Sequence, residues 1–135
     1  AALLMAKLSA ETRSALLRES DPAVAITQLT ERLSALNTQR FVTMILTVID
    51  PASHRVTMVN AGHMSPLYRT KDGRVLSPAD DITGLPLGIT DAISYESTEI
   101  LLEPGESLTL YTDGLNEAVD VQGQQFTIPR LKEQV

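Results

Sequence analysis

Apolar residues recur at helical spacing over the first part of the chain and switch to strand-like patterning after Arg40. Residues 1–19 are rich in the helix formers Ala, Leu, Lys, Arg and Glu, and Leu4, Leu8, Ala15 and Leu16 fall roughly on one face. Asp21-Pro22 then offers an N-cap followed by a proline suited to the first helical position. Ile26, Leu29, Leu33 and Leu36 continue at spacings of three and four, which predicts a second helix that Asn37 can end. So short a connection predicts antiparallel neighbours.

From Phe41 to Ile49 the residues are largely β-branched and almost wholly apolar, which predicts a central strand covered on both faces. Asp50 to Ser53 turns the chain, and Arg55 to Asn60 returns as a second strand. Leu67–Arg69 and Arg74–Leu76 flank Lys71-Asp72-Gly73, a hairpin signal. Residues 77–93 carry Pro78, Gly84, Pro86 and Gly88 and read as a long irregular loop, a type that is often functional. Tyr95–Leu102 and Glu106–Thr112 are expected to form another hairpin around the turn dipeptide Pro104-Gly105. A short helix around Ile128 to Glu133 closes the chain. Helices first and hairpin-linked strands afterwards predict an α+β fold, helices on one face of an antiparallel sheet, with two packed sheets as the variant that would cover both faces of Phe41–Ile49.

The chain has 135 residues, 43% hydrophobic and 21% charged, which suits one folded domain and argues against disorder. Its segments are 1–38 (helix pair), 39–113 (strands, with the 77–93 loop) and 114–135 (C-terminal segment). Met44–Ile49 is far short of the roughly 20 apolar residues that span a bilayer, so membrane contact from this segment is not expected. With no cysteine, disulfide scaffolds, thiolate zinc sites and thiol nucleophiles drop out together. A net charge of −6 speaks against a nucleic-acid partner, which needs a basic face, and suits carboxylate-held divalent cations. The chain opens at Ala1 in the middle of a helix pattern, without a cap or a charged signal-peptide region, and is read as a piece of a longer product.

Four places could carry chemistry. Asp113 is expected where the strand Ser107–Tyr111 stops, with Gly114 allowing close backbone approach; a carboxylate there suits Mg²⁺ or Mn²⁺, although an ordinary Asp-Gly turn has the same pattern. Asn60-Ala61-Gly62-His63 puts a histidine at the exit of a strand, where it could act as a general acid or orient a water, or simply face solvent. Gly84-Leu85-Pro86-Leu87-Gly88-Ile89 forms a defined but hinge-capable loop. Asp80-Asp81 is read as solvated charge, and His54 as an exposed turn residue without a partner. There is no Gly-x-Ser-x-Gly elbow, no Walker-type glycine loop and no histidine pair at helical spacing.

Taken in order, Ala1–Ala6, Arg40–Thr43, Asn60–His63, Gly84–Ile89, Leu102–Glu106, Leu110–Gly114 with Glu117-Ala118, and Gly123–Leu131 resemble the bacterial PPM-type serine/threonine phosphatase domain of the SpoIIE/RsbU kind, also described as protein phosphatase 2C-like. The resemblance covers the whole chain. It implies an antiparallel β-sandwich flanked by α-helices, with a two-metal Mn²⁺/Mg²⁺ centre at one end. It further implies hydrolysis of phosphoserine or phosphothreonine on a protein, commonly an anti-sigma-factor antagonist, by a metal-bridged water that needs no protein nucleophile. Asp113 matches the family's metal-ligating aspartate and Gly114 the glycine beside it, and the resemblance implies that the two belong to the metal site. Asn60 and His63 match a motif near the metals and take a supporting role; Gly84, Pro86 and Gly88 match a loop bordering the site, read as a substrate loop. The two leading helices match those that, in this family, switch the phosphatase when an upstream sensory or receiver module moves.

Family members also carry acidic metal motifs ahead of this helix and an Asp-Asp-x-Thr strand later on. Asp80-Asp81-Ile82-Thr83 looks like the latter but lies before the Gly84–Ile89 loop, so the role is not carried over. With Asp113 alone of the expected aspartates, the 135 residues are expected to be inactive by themselves while the intact, cytoplasmic protein is an enzyme. The alternative is a pseudophosphatase that docks a sigma-factor regulator without hydrolysing it. A dimer formed through unpaired sheet edges is a further expectation.

Overall fold

The structure, a computed structural model, describes residues 2–35 and 41–135. The expected end of the second helix at Leu36 and Asn37, the 38/39 segment boundary, Arg40, and the packing of Leu4 lie outside what it describes.

Helix α1 (Ala2–Arg18) and helix α2 (Pro22–Ser34) pack together, with Arg32 Nη1 3.3 Å from Glu11 Oε2 across the pair. Asp21 caps α2 as its sequence predicts: its Oδ1 accepts from Ala23 N at 2.8 Å and Val24 N at 3.4 Å. These bonds satisfy amides that the helix itself leaves without partners. The stripe Ile26, Leu29, Leu33 is buried, and so is Leu8 of α1.

Among the described residues six strands follow, in two antiparallel sheets. β1 (Met44–Asp50), β2 (Arg55–Ala61) and β5 (Ser97–Leu101) form the first, in the order β1-β2-β5. β3 (Leu67–Arg69), β4 (Val75–Leu76) and β6 (Ser107–Thr109) form the second, in the order β4-β3-β6. Two short helices close the chain, α3 (Asp113–Asn116) and α4 (Ile128–Gln134). One apolar core joins α1, α2, the first sheet and the loop residues Leu87 and Tyr95; a second joins Leu67, Tyr111 and Leu131.

Three sequence expectations are corrected. The Phe41–Ile49 run is not a central strand covered on both faces. The regular strand begins at Met44 and lies at the edge of its sheet, pairing among the described residues with β2 from Met44↔Ala61 to Asp50↔Arg55. Met44 and Leu46 pack against the core, while Phe41 and Ile49 are 63% and 64% exposed. The buried centre is β2, which has a strand on each side and whose Val56, Met58 and Val59 are almost wholly enclosed, Val59 within the core shared with α1 and α2. An apolar run records an appetite for burial but not which neighbours supply it.

Second, the strands either side of Pro104-Gly105 do not pair with each other: β5 pairs with β2 and β6 with β3. The turn itself forms, with Glu106 N donating to Glu103 O at 3.0 Å and Gly105 at φ +94°. The Glu106 carboxylate then accepts from Tyr68 Oη at 2.5 Å and Lys71 N at 3.1 Å, drawing the outgoing chain to the β3 sheet. Third, Asp113 does not sit at a strand end; β6 stops at Thr109 and Asp113 opens α3.

Candidate functional site

Asn60, near the end of β2, is completely buried and uses its whole amide. Its Oδ1 accepts from His63 N at 2.8 Å, while Nδ2 donates to Ala79 O at 3.3 Å and to Thr83 Oγ1 at 3.0 Å. One side chain thereby ties the 60–63 turn to the 77–93 loop. Gly84 N adds a backbone bond to Asn60 O at 2.9 Å. The turn requires Gly62, whose φ is +69° and whose Cβ, were there one, would lie 2.7 Å from the Pro86 ring.

The segment ahead of β1 is held between these two loops. Val42 and Leu87 exchange backbone hydrogen bonds of 3.0 and 2.8 Å, and Met44 bridges to Gly62. Thr43 is delivered to the rim, its Oγ1 3.2 Å from His63 Nδ1. Thr43, Gly62, His63, Met64, Thr112 and Asp113 line a cleft of about 170 Å³. Of the residues singled out in the sequence, His63 and Asp113 are therefore brought to one cleft, and Asn60 lies beneath it.

Gly84, Pro86 and Gly88 are not among the lining residues; they stand behind the turn. A Cβ on Gly84 would meet the Tyr95 ring at 2.8 Å, and Tyr95 Oη donates to Leu85 O at 2.7 Å. Gly88 N donates to the buried Thr30 Oγ1 and Tyr95 N to Thr27 Oγ1, each at 3.0 Å, so α2 holds the later part of this loop and the residue just past it. Gly114 does not line the cleft either, and a Cβ there would meet only Thr112 Oγ1 at 3.7 Å. Beneath the cleft Tyr111 is buried, which pushes its phenol above the ordinary value. Asp80, Asp81 and His54 are exposed.

Sequence reasoning missed the partners Thr43, Thr27 and Thr30. Thr27 and Thr30 interrupt the apolar face of α2, which is the signal for them; Thr43 closes the Arg40–Thr43 segment of the family resemblance but sits in an apolar run that does not reveal its partner.

Asp113 is the carboxylate of the cleft, and among the described residues no group of three or more His, Asp or Glu is arranged to hold a metal ion. A single carboxylate does not assemble a cation site, so these residues by themselves do not fit a metal centre.

The family description "Stage II sporulation protein E (SpoIIE)" matches residues 1–135. The chain belongs to the SpoIIE family. Two solved structures share its fold. One is the crystal structure of the RsbU and RsbW domains of Rv1364c from Mycobacterium tuberculosis, with a TM-score of 0.69 and 24% identity over 90% of this chain and 34% of that one. The other is the phosphatase domain of the cell fate determinant SpoIIE from Bacillus subtilis, Mn presoaked, with a TM-score of 0.57 and 21% identity over 91% of this chain and 52% of that one. The SpoIIE-family chain thus spans about a third to a half of the solved chains it resembles. No curated protein matches it by sequence. The fold is that of PPM-type phosphatase domains, mixed helix and antiparallel sheet. No helix among the described residues is long and apolar enough to cross a membrane.

Proposed function

We propose that this chain is part of a metal-dependent serine/threonine protein phosphatase and that Asp113 supplies one of the carboxylates of its active centre. The observation that carries the reading is the convergence of Asp113 and His63 on one cleft, braced by buried Asn60, in a chain of the SpoIIE family. Mn²⁺ or Mg²⁺ would supply the charge that a phosphoester needs neutralised, and the further acidic ligands would come from outside these 135 residues. On this reading the 135 residues alone are inactive. Asn60 holds the His63 backbone, the two act as supporting residues beside Asp113, and the Gly84–Gly88 loop buttresses them. Gly114 sits next to Asp113 and leaves its carboxylate exposed at the start of α3.

The substrate is a phosphoserine on a regulatory protein of the anti-sigma-factor-antagonist kind, in the cytoplasm. One structural relative carries RsbU and RsbW domains, which is consistent with such a partner. The grip of Thr27 and Thr30 on the loop behind the cleft is consistent with control by an upstream sensory module acting through α1 and α2. The outer edge of β1, unpaired among the described residues, would allow a dimer.

The test is manganese-stimulated hydrolysis of a phosphoserine protein by the full-length protein: Asp113→Asn is expected to lose at least a hundredfold in kcat, and full activity in that variant would refute the reading. A second reading, a pseudophosphatase that only docks its regulator, draws on the lack of a complete ligand set among the described residues. It predicts no stimulation by manganese even in the full-length protein.

A further inference from the structure

Thr43 is exposed and belongs to neither apolar core, yet its backbone is fixed on both sides, by the Val42–Leu87 pair and by the bridge from Met44 to Gly62. The consequence is a side chain placed at the cleft with its hydroxyl 3.2 Å from His63 Nδ1. His63 is thereby held at two points: Asn60 Oδ1 accepts from its backbone N–H at 2.8 Å, and Thr43 engages one ring nitrogen. An imidazole has two nitrogens, and Nε2 makes no hydrogen bond among the described residues. A histidine ring left to itself rotates in a broad, roughly two-fold well, which would exchange the positions of its nitrogens and carbons. The Thr43 hydroxyl can donate as well as accept; when it donates to Nδ1, the ring hydrogen sits on Nε2, which can then donate to an acceptor such as a phosphoryl oxygen. What it selects is the edge that faces the cleft.

We infer that Thr43 is a positioning residue: it orients the His63 ring so that Nε2 meets an oxygen of a phosphomonoester group lying in the cleft beside Asp113. The inference rests on the phosphatase reading of that cleft. It deepens that reading by assigning His63 a direct hydrogen bond to the substrate's phosphoryl group and Thr43 a role exerted only through His63.

The test uses the full-length protein with para-nitrophenyl phosphate in a manganese-containing assay, and four variants. Thr43→Val keeps the shape and removes the hydroxyl; it is expected to lower kcat/KM by roughly three- to tenfold, the worth of one modest hydrogen bond. Thr43→Ser restores the hydroxyl and is expected to bring activity back to within about twofold of wild type. His63→Gln is expected to lose about tenfold or more, and adding Thr43→Val to it should cost no further factor, because residues acting through one contact are not additive. A readout independent of turnover is NMR of the metal-free protein with labelled histidine. His63 should show one set of ring signals in wild type and Thr43→Ser, and exchange-broadened or doubled signals in Thr43→Val.

Equal losses from Thr43→Val in the wild-type and His63→Gln backgrounds would overturn the inference, as would ring signals unchanged by Thr43→Val. Asp113→Asn, run alongside, separates the two levels. If it stays active, the phosphatase reading falls and the inference falls with it. If it is inactive while Thr43→Val matches wild type, the inference alone is lost.

Discussion

Replacing Asn60 by alanine removes one side chain and three hydrogen bonds: the one accepted from His63 N and those donated to Ala79 O and Thr83 Oγ1. The residue is completely enclosed, so water cannot take over these partners without opening the loop. Ala79 O retains its bond from Thr83 Oγ1 at 3.0 Å, which leaves the His63 amide as the group most exposed to loss. At a net value near 1 kcal/mol for each bond, Asn60→Ala should destabilise the protein by about 3 kcal/mol. That is a large part of the 5–15 kcal/mol that typically separates folded from unfolded. Urea unfolding followed by far-UV circular dichroism would read it as a midpoint lower by roughly 1.5 M, for a slope near 2 kcal/mol/M. Asn60→Asp keeps an acceptor for His63 N, but its carboxylate donates to neither loop partner and buries a charge against the Ala79 carbonyl, so it should cost at least as much as Asn60→Ala. A loss below about 1 kcal/mol for Asn60→Ala at an unchanged slope would refute the claim that this amide ties the 60–63 turn to the 77–93 loop.

Gly62→Ala should cost about 2–4 kcal/mol, since it combines a φ of +69° with an approach of 2.7 Å to the Pro86 ring. Gly73→Ala, at φ +84° with nothing near its Cβ, should cost only about 1 kcal/mol, and equal losses at the two sites in thermal melts would discount the clash with Pro86. The Tyr68–Glu106 bond predicts a pH window. Its hydrogen bond to the Glu106 carboxylate pushes the Tyr68 phenol from 10.0 up to about 12, and the same bond pulls Glu106 below the ordinary 4.5. Because the phenol's pKa is raised on folding, its stabilisation is complete below pH 10 and disappears as pH climbs through about 12. Because the carboxyl's is lowered, its share is present above pH 4.5 and disappears as pH falls through the folded value. The Tm difference between wild type and Tyr68→Phe should therefore be flat near neutrality and shrink at both extremes; a difference constant from pH 3 to pH 12 would refute the assignment.

Much of this molecule is written in short-range pattern. Asp21-Pro22 predicts the cap and start of α2 because the required atoms lie within three residues of one another. The alternation around Lys71-Asp72-Gly73 predicts β3 and β4 because a tight turn dictates its own register. Segment order carries the family, and with it the expectation that Asp113 and His63 belong to one site.

Partnership over distance is another matter. Phe41–Ile49 reads as central and, among the described residues, lies at an edge, and the strands around Pro104-Gly105 read as a hairpin and part company into two sheets. In each case the residues specify strand and burial, but hydrogen-bonding edges are identical along any backbone. The choice among them was made by longer contacts such as Glu106 to Tyr68 and Val42 to Leu87. The same holds at the cleft, where Thr43 and His63 meet across twenty positions and Asn60 reaches Thr83 across twenty-three. Local chemistry along the chain determined which elements form and which side chains could react; only the folded packing decided which of them touch, because that depends on the closure of loops whose ends the sequence does not pair.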